Sequence, residues 1–169
     1  MKHAFIGYGS LLDHNSLSKT IADRKFIPVI IKKYQRIFNL KDEDDSDPDV
    51  LNAIPSPTHY FNAVMFYVNN EELIKLKRRE EDYNLVEADV YDFNNKNKKI
   101  GRAFLSIDEV VGLDKQNKKP DRDYFIACRE AAYRVSPEFG KIWDKTTYTA
   151  GGKKITSWLR NNPDYNTIK

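Results

Sequence analysis

Short apolar runs separated by polar stretches predict strands in the first part of the chain. The first run, "AFIGY" (4–8), is followed directly by Gly9 and Ser10. The run "FIPVIIKKYQRIFNL" (26–40) is rich in β-branched and aromatic residues, and "VLNAIP" and "FNAVMFYV" follow as two more runs. This length and composition are typical of strands. Within the second run, Pro28 predicts a bulge or an edge position, because proline cannot donate a ladder hydrogen bond.

A hairpin is predicted further along the chain. The segment "YNLVEADVYDF" (83–93) has strand character, and its residues Val86, Ala88 and Val90 share one face. The segment "IGRAFLSI" (100–107) follows a lysine-rich turn and is the expected partner strand.

Helical patterns fill the remaining segments. Asn69 or Asn70 caps "EELIKLKRRE", whose acidic start and basic end suit the helix dipole, and the helix should end near Glu80. After Asp121, residues recur at helical spacing and place Cys128 on a packed stripe rather than in a nucleophilic site. Shorter helices are expected over residues 13–20 and around Trp158.

These elements predict one α+β domain over residues 1–162 and a polar C-terminal tail over residues 163–169. The sheet should contain five or six strands and form the wall of a small mixed β-barrel with flanking helices. The acidic stretch "KDEDDSDPD" (41–49) is expected to be an exposed loop.

Composition narrows the function classes. The 169 residues are 40% hydrophobic and 31% charged, with a net charge of +3, which is typical of a soluble globular protein. No basic block points to nucleic acid, and no apolar run approaches the roughly 20 residues that cross a bilayer. The single cysteine excludes an internal disulfide. We therefore expect a cytoplasmic protein that binds neither nucleic acid nor membrane; the oligomeric state is open.

The opening loop "GYGSLL" has two interpretations. It is either an ordinary tight turn or a nest of backbone N–H groups that binds a carboxylate or phosphate without a charged side chain. Gly9 would permit the close approach of such a ligand. The loop lacks the later glycines of a dinucleotide fingerprint, and the three histidines have no metal-type spacing.

The stretch "RREEDY" (78–83) also has two interpretations. It is either a solvated acidic helix end or the source of a buried glutamate with a raised pKa that acts as a base. Carboxylates are unfavourable at the negative end of a helix, which makes their position notable.

Taken together, these residues resemble the γ-glutamylcyclotransferase-like superfamily. The resemblance rests on "FIGYGSL" (5–11), on the succession "YQRIFNL", "VLNAIPSP" and "NAVMFYV", and on Leu73-x-x-Leu76-x-x-x-Glu80-x-x-Tyr83. The segment "YFIACREAAYRVSPEFGKIWDKTTY" is also similar to the C-terminal helices of many members. The similarity covers about residues 3–160.

The resemblance implies a β-barrel with a cavity at its mouth and an activity that needs no metal or nucleotide cofactor. Related enzymes convert a γ-glutamyl amide or amine into 5-oxoproline and the free amine. By position, the backbone of Tyr8, Gly9, Ser10 and Leu11 would bind the substrate α-carboxylate. Glu80 would be the residue that accepts and returns the proton, and Tyr83 would line the pocket beside it. Tyr148, in the loop after the C-terminal helices, is a further candidate for the pocket wall.

Two questions stay open at this stage. Glu81 is the fallback for Glu80, because the register of the acidic stretch is uncertain and the family often has glycine after its glutamate. Among functions, a related lyase or amidotransferase and a catalytically silent module that binds a small acid are the alternatives, since one fold hosts many functions.

Overall fold

The computed structural model describes residues 1–40, 50–80, 83–108 and 119–168. The predicted acidic loop and Glu81 lie outside the described residues. The described part of the chain contains strands β1 (His3–Gly7), β2 (Ile27–Leu40), β3 (Val50–Val68), β4 (Asn84–Asp92), β5 (Lys99–Ile107) and β6 (Thr147–Thr149). Its α-helices are α1 (His14–Ser18), α2 (Asn70–Arg79), α3 (Arg122–Val135), α4 (Pro137–Thr146) and α5 (Ile155–Trp158), and short 3₁₀ turns cover Ser10–Leu12, Leu159–Asn161 and Pro163–Tyr165.

The strands form one curved mixed sheet with the order β3-β1-β5-β4-β2-β6. Strand β2 also pairs with β3, so the first five strands close into a ring and β6 extends the sheet beside β2. The β1–β5 and β2–β6 pairs are parallel, and the remaining pairs are antiparallel. The predicted α+β class is confirmed, and the predicted hairpin is formed by β4 and β5.

The two strands predicted around residues 50–68 are in fact one strand, β3. It pairs with β2 in three stretches, because the register shifts between Phe38 and Leu40 and, earlier in β2, between Lys32 and Tyr34. Lys33 adopts a φ of 66° at that point, so the bulge lies at Lys33 rather than at Pro28. Pro28 pairs with Val64 of β3 but lies just outside the ladder with β4, which matches the predicted edge position.

The main core fills the space between the ring of strands and helices α3 and α4. It includes Phe38, Phe61, Phe125 and Trp143, all fully buried. Cys128 lies in this core, where burial raises the pKa of its thiol to about 12. The thiol is therefore packed and protonated, as its place on the helical stripe predicted.

A second cluster fixes α2 on the outer face of the sheet. Leu73 and Leu76 of the helix pack with Phe5 of β1 and Phe66 of β3. Burying these four side chains holds the helix in one orientation, and so determines where its last residues point.

The C-terminal segment contributes to the core as well. Tyr165, within the stretch expected to be a polar tail, is 6% exposed and packs against Phe125 and Trp158. Its hydroxyl donates to the carbonyl of Pro120. None of the described helices has the length and apolarity needed to cross a bilayer.

Candidate functional site

A small cavity lies where β1, β5 and α2 end. Its volume is about 30 Å³, enough for a few atoms, and it opens to solvent. Ten residues line it: Ile6, Tyr8, Gly9, Ser10, Leu11, Leu51, Glu80, Tyr83, Ser106 and Tyr124. The structure thus brings the opening loop and Glu80, which are about seventy positions apart in sequence, to one cavity.

The loop after β1 turns sharply because Gly7 permits it. A Cβ at Gly7 would lie 2.7 Å from the carbonyl oxygen of Leu11, which is closer than any side chain tolerates. The 3₁₀ turn that follows is closed by hydrogen bonds from the amides of Leu12 and Asp13 to the carbonyls of Gly9 and Ser10. The loop is therefore folded back on itself.

The same turn presents free backbone donors. No side chain caps it at Gly9. Within the described residues, the N–H groups of Gly9, Ser10 and Leu11 have no acceptor. Three unpaired N–H groups beside a cavity form a site at which a carboxylate can accept hydrogen bonds.

Gly9 is also the point at which the loop touches the opposite wall. A Cβ there would lie 3.0 Å from the hydroxyl oxygen of Tyr124 and 3.4 Å from Cδ1 of Leu51. Any larger residue would therefore push into the cavity or displace Tyr124.

Helix α2 delivers Glu80 through strong local signals. Asn69 and Glu72 form a capping box at its start, as the acidic first turn predicted. The helix ends at Arg79, and Glu80 is its C-cap, with its N–H bonded to the carbonyl of Leu76 at 2.9 Å. The buried position of Leu76, one turn earlier, orients the Glu80 side chain toward the protein.

The Glu80 carboxylate is mostly buried, and few neighbouring groups stabilise its negative charge. Its side chain is 13% exposed, and the cation that pairs with it among the described residues is Arg79, with 4.0 Å between Nε and Oε1. Its carboxylate accepts no hydrogen bond from the described residues. Burial raises the pKa of Glu80 above its ordinary value, and the charge of Arg79 offsets only part of that effect. A carboxylate with a raised pKa is suited to take up and return a proton.

Arg79 ties the helix end to the loop. Its guanidinium donates to the carbonyl and the hydroxyl of Ser16, to the hydroxyl of Thr20 and to the hydroxyl of Ser10. Because these donors are engaged with α1 and the loop, Arg79 does not pair closely with Glu80. It fixes the two halves of the cavity relative to each other.

Tyrosine hydroxyls form the rest of the polar wall. Tyr8 donates to the carbonyl of Ser106 at 2.7 Å, and Tyr83 donates to the carbonyl of Leu51 at 3.0 Å. Burial raises the pKa of both Tyr8 and Tyr124 well above that of a free phenol. These phenols therefore stay protonated and neutral at physiological pH.

Six of the seven residues predicted for the site line the cavity, and Tyr148 does not. Tyr148 lies in a separate depression, with its ring packed edge-on against His59 at 5.2 Å. The reason is strand alternation: Thr147 bonds to the buried Arg36, so Tyr148 must face the other side of β6.

Four lining residues were not predicted from the sequence, and the two polar ones are Tyr124 and Ser106. Tyr124 belongs to the stripe of α3 that faces the core, a pattern that gives no sign of a pocket. Ser106 is a single polar residue in an otherwise apolar strand end, which is a weak signal in sequence. Among the described residues, no group of three or more His, Cys, Asp or Glu side chains is placed to hold a metal ion.

The sequence matches no family model and no curated protein. Solved structures do share its fold. A γ-glutamyl cyclotransferase superposes with a TM-score of 0.66 at 14% identity, over 98% of this chain and 100% of that one. A yeast γ-glutamyl cyclotransferase specific to glutathione gives 0.67 at 16% identity, over 98% and 97%. An uncharacterized protein from Homo sapiens gives 0.67 at 15% identity, over 96% and 98%. The chain therefore shares the fold of these γ-glutamyl cyclotransferases, which is the fold that the sequence resemblance predicted.

Proposed function

We propose that this protein converts a γ-glutamyl amide or amine into 5-oxoproline and the free amine. One observation carries the proposal: the buried Glu80 carboxylate, which accepts no hydrogen bond within the described residues, shares a cavity with the unpaired N–H groups of the opening loop. A ligand with one anionic and one basic group would bridge the two. The α-carboxylate and α-amine of a γ-glutamyl group are such a pair.

The loop would bind the α-carboxylate. The N–H groups of Gly9, Ser10 and Leu11 supply the donors, and hydrogen bonds to a charged acceptor are stronger than neutral ones. The apolar side chains of Ile6 and Leu51 would contact the methylene groups of the substrate. The cavity has room for only a few atoms, so the α-carboxylate and the α-amine would enter it while the rest of the substrate, with the leaving amine, stays at the open mouth.

Glu80 would transfer the proton. The α-ammonium group of the substrate first gives a proton to the Glu80 carboxylate. The neutral amine then attacks the γ-carbonyl carbon, and a new C–N bond closes a five-membered ring. The old C–N bond breaks as Glu80 returns its proton to the departing nitrogen. After the attack the ring nitrogen still carries two hydrogens, and it gives one of them to the freed Glu80 carboxylate, which passes that proton to the released amine. The products are then 5-oxoproline and an ammonium ion, so protons and electrons balance, and the reaction needs no water, metal or covalent intermediate with the protein.

Positioning accounts for much of the expected acceleration. The nucleophile and the electrophile belong to one molecule, and well-oriented intramolecular attack reaches effective molarities on the order of 10⁵–10⁸ M. A loop that binds the α-carboxylate and one carboxylate that transfers the proton would therefore be sufficient. General acid–base catalysis by Glu80 would add about 10²–10⁴-fold.

The test is direct. Purified protein is incubated with glutathione, γ-glutamylalanine and γ-glutamyl-ε-lysine, and the release of 5-oxoproline is measured. We expect turnover of at least one compound and its loss in Glu80→Gln, while Glu71→Gln, an exposed change on the same helix, keeps the wild-type rate. No 5-oxoproline from any of the three would refute the proposal. Binding of 5-oxoproline without any turnover would instead favour the silent small-acid module.

A further inference from the structure

Ser106 carries a buried hydroxyl that lacks a hydrogen-bond partner. The residue is 4% exposed, and its Oγ has no partner among the described residues. Buried hydroxyls in native proteins are nearly always hydrogen-bonded, because an unpaired one gives up its bonds to water without replacement. Ser106 is one of the residues that line the cavity. An unpaired hydroxyl in that position indicates a partner that arrives with a ligand.

The alternation of side chains along β5 places Ser106 on the face of the sheet that α2 covers. Ser106 lies one residue before the end of β5, on the same strand face as Phe104. Phe104 packs against the cluster beneath α2, the helix that ends at Glu80. The Ser106 side chain therefore lies on the face of β5 against which α2 packs.

The neighbouring phenols do not compete for this role. The hydroxyl hydrogen of Tyr8 goes to the carbonyl of Ser106 itself, and that of Tyr83 goes to the carbonyl of Leu51. Both hydrogens are thus held by backbone acceptors. The Ser106 hydroxyl hydrogen has no such acceptor within the described residues, and it remains available to a ligand.

We propose that the Ser106 hydroxyl donates a hydrogen bond to the γ-carbonyl oxygen of the substrate. The inference rests on the proposed function. In that reaction the loop N–H groups bind the α-carboxylate and Glu80 faces the α-amine. The γ-carbonyl oxygen is then the remaining polar atom of the γ-glutamyl group, and the unpaired O–H of Ser106 is the matching donor.

The hydrogen bond would act mainly in the transition state. When the amine attacks, the carbonyl π electrons move to oxygen and the oxygen becomes negative. They return to carbon when the old C–N bond breaks. A donor bonds a negative oxygen more strongly than a neutral carbonyl, so the interaction lowers the barrier more than it tightens binding.

The expected magnitude follows from the charge of the acceptor. Loss of a hydrogen bond to a charged group corresponds to roughly a 10- to 100-fold loss of rate, and loss of a bond to a neutral carbonyl to about 2- to 10-fold weaker binding. Ser106→Ala should therefore lower kcat by about 10- to 100-fold and weaken the binding of 5-oxoproline by less than about tenfold.

The experiment compares Ser106→Ala with Ser56→Ala. Ser56 lies on β3 outside the cavity, and its hydroxyl is hydrogen-bonded to His59 at 2.6 Å. For each variant, kcat and KM are measured with whichever of glutathione, γ-glutamylalanine and γ-glutamyl-ε-lysine the wild-type protein converts fastest. The thermal unfolding midpoint Tm is measured in parallel.

We expect Ser106→Ala to lower kcat with little change in KM while Tm stays the same or rises, because an unpaired buried hydroxyl has been removed. Ser56→Ala should keep the wild-type kcat. A wild-type kcat in Ser106→Ala would overturn the inference. So would a joint fall of kcat and Tm, which would assign Ser106 a structural role. Wild-type protein that converts none of the three compounds would instead overturn the proposed function, and this inference with it.

Discussion

Replacing Glu80 with glutamine should make the folded protein more stable while it removes activity. The change is nearly isosteric and removes only the charge. In the folded protein, burial raises the pKa of Glu80, so ionisation at neutral pH is less favourable there than in the unfolded chain. The charged carboxylate therefore destabilises the fold at neutral pH.

The magnitude follows from the burial of the carboxylate. The Glu80 side chain is only 13% exposed, and Arg79 lies 4.0 Å away, so neither water nor a close cation fully stabilises the negative charge. Each unit of pKa elevation corresponds to about 1.4 kcal/mol, and an uncompensated buried polar group costs roughly 1–3 kcal/mol. For a chain of this length, 1 kcal/mol shifts Tm by about 2–4 °C. We expect Glu80→Gln to raise the free energy of unfolding at pH 7 by about 1–3 kcal/mol, and Tm by several degrees.

The sign of the pH dependence gives a sharper test. Below the unfolded-state pKa, Glu80 is protonated in both states, so wild type and Glu80→Gln should be equally stable. As pH rises through the raised folded-state pKa, the wild type loses stability relative to the variant. Urea unfolding of both proteins from pH 4 to pH 8, with Glu71→Gln as the control, measures this difference. A variant that is less stable than wild type at pH 7, or a difference that does not change with pH, would refute the reasoning about burial.

Three further outcomes follow from the cavity. Gly9→Val should abolish 5-oxoproline binding, because its side chain would collide with Tyr124 and Leu51; calorimetry that gives wild-type affinity would count against the loop as a ligand site. The value of kcat/KM should rise with pH through the raised pKa of Glu80, since a protonated carboxyl cannot accept the proton of the amine. A rate profile with an acidic limb at or below pH 4.5 would contradict that assignment. Tyr148→Phe should leave kcat/KM unchanged, since Tyr148 lies outside the cavity; a tenfold loss would show that the depression around it takes part.

Local signals made the helix and its catalytic candidate predictable. The cap at Asn69, the acidic first turn and the spacing of Leu73 and Leu76 are properties of neighbouring residues, and they fixed both ends of α2. Once the helix was placed, its buried side identified Glu80. The glycine loop was predictable for the same reason, because its conformation depends on Gly7 and the residues that follow it.

Features that depend on distant partners were missed. The position of the bulge at Lys33 depends on how β2 and β3 pair, and the pattern of either strand alone does not show it. Arg36 is fully buried and hydrogen-bonded to Asn62 and Thr147, which no local rule for a charged residue predicts. Tyr148 was placed in the pocket because the register of β6 was not known. Ser106 gained significance only through its burial and its lack of a partner.

A crystal structure of the protein with 5-oxoproline would test the central claim most directly. The account predicts the carboxylate of 5-oxoproline within about 3 Å of the loop N–H groups of Ser10 and Leu11. The ring nitrogen should face the Glu80 carboxylate. Density for 5-oxoproline elsewhere, such as beside Tyr148, or a bound molecule that contacts only one of the two regions, would contradict the claim that the loop and Glu80 act on one ligand.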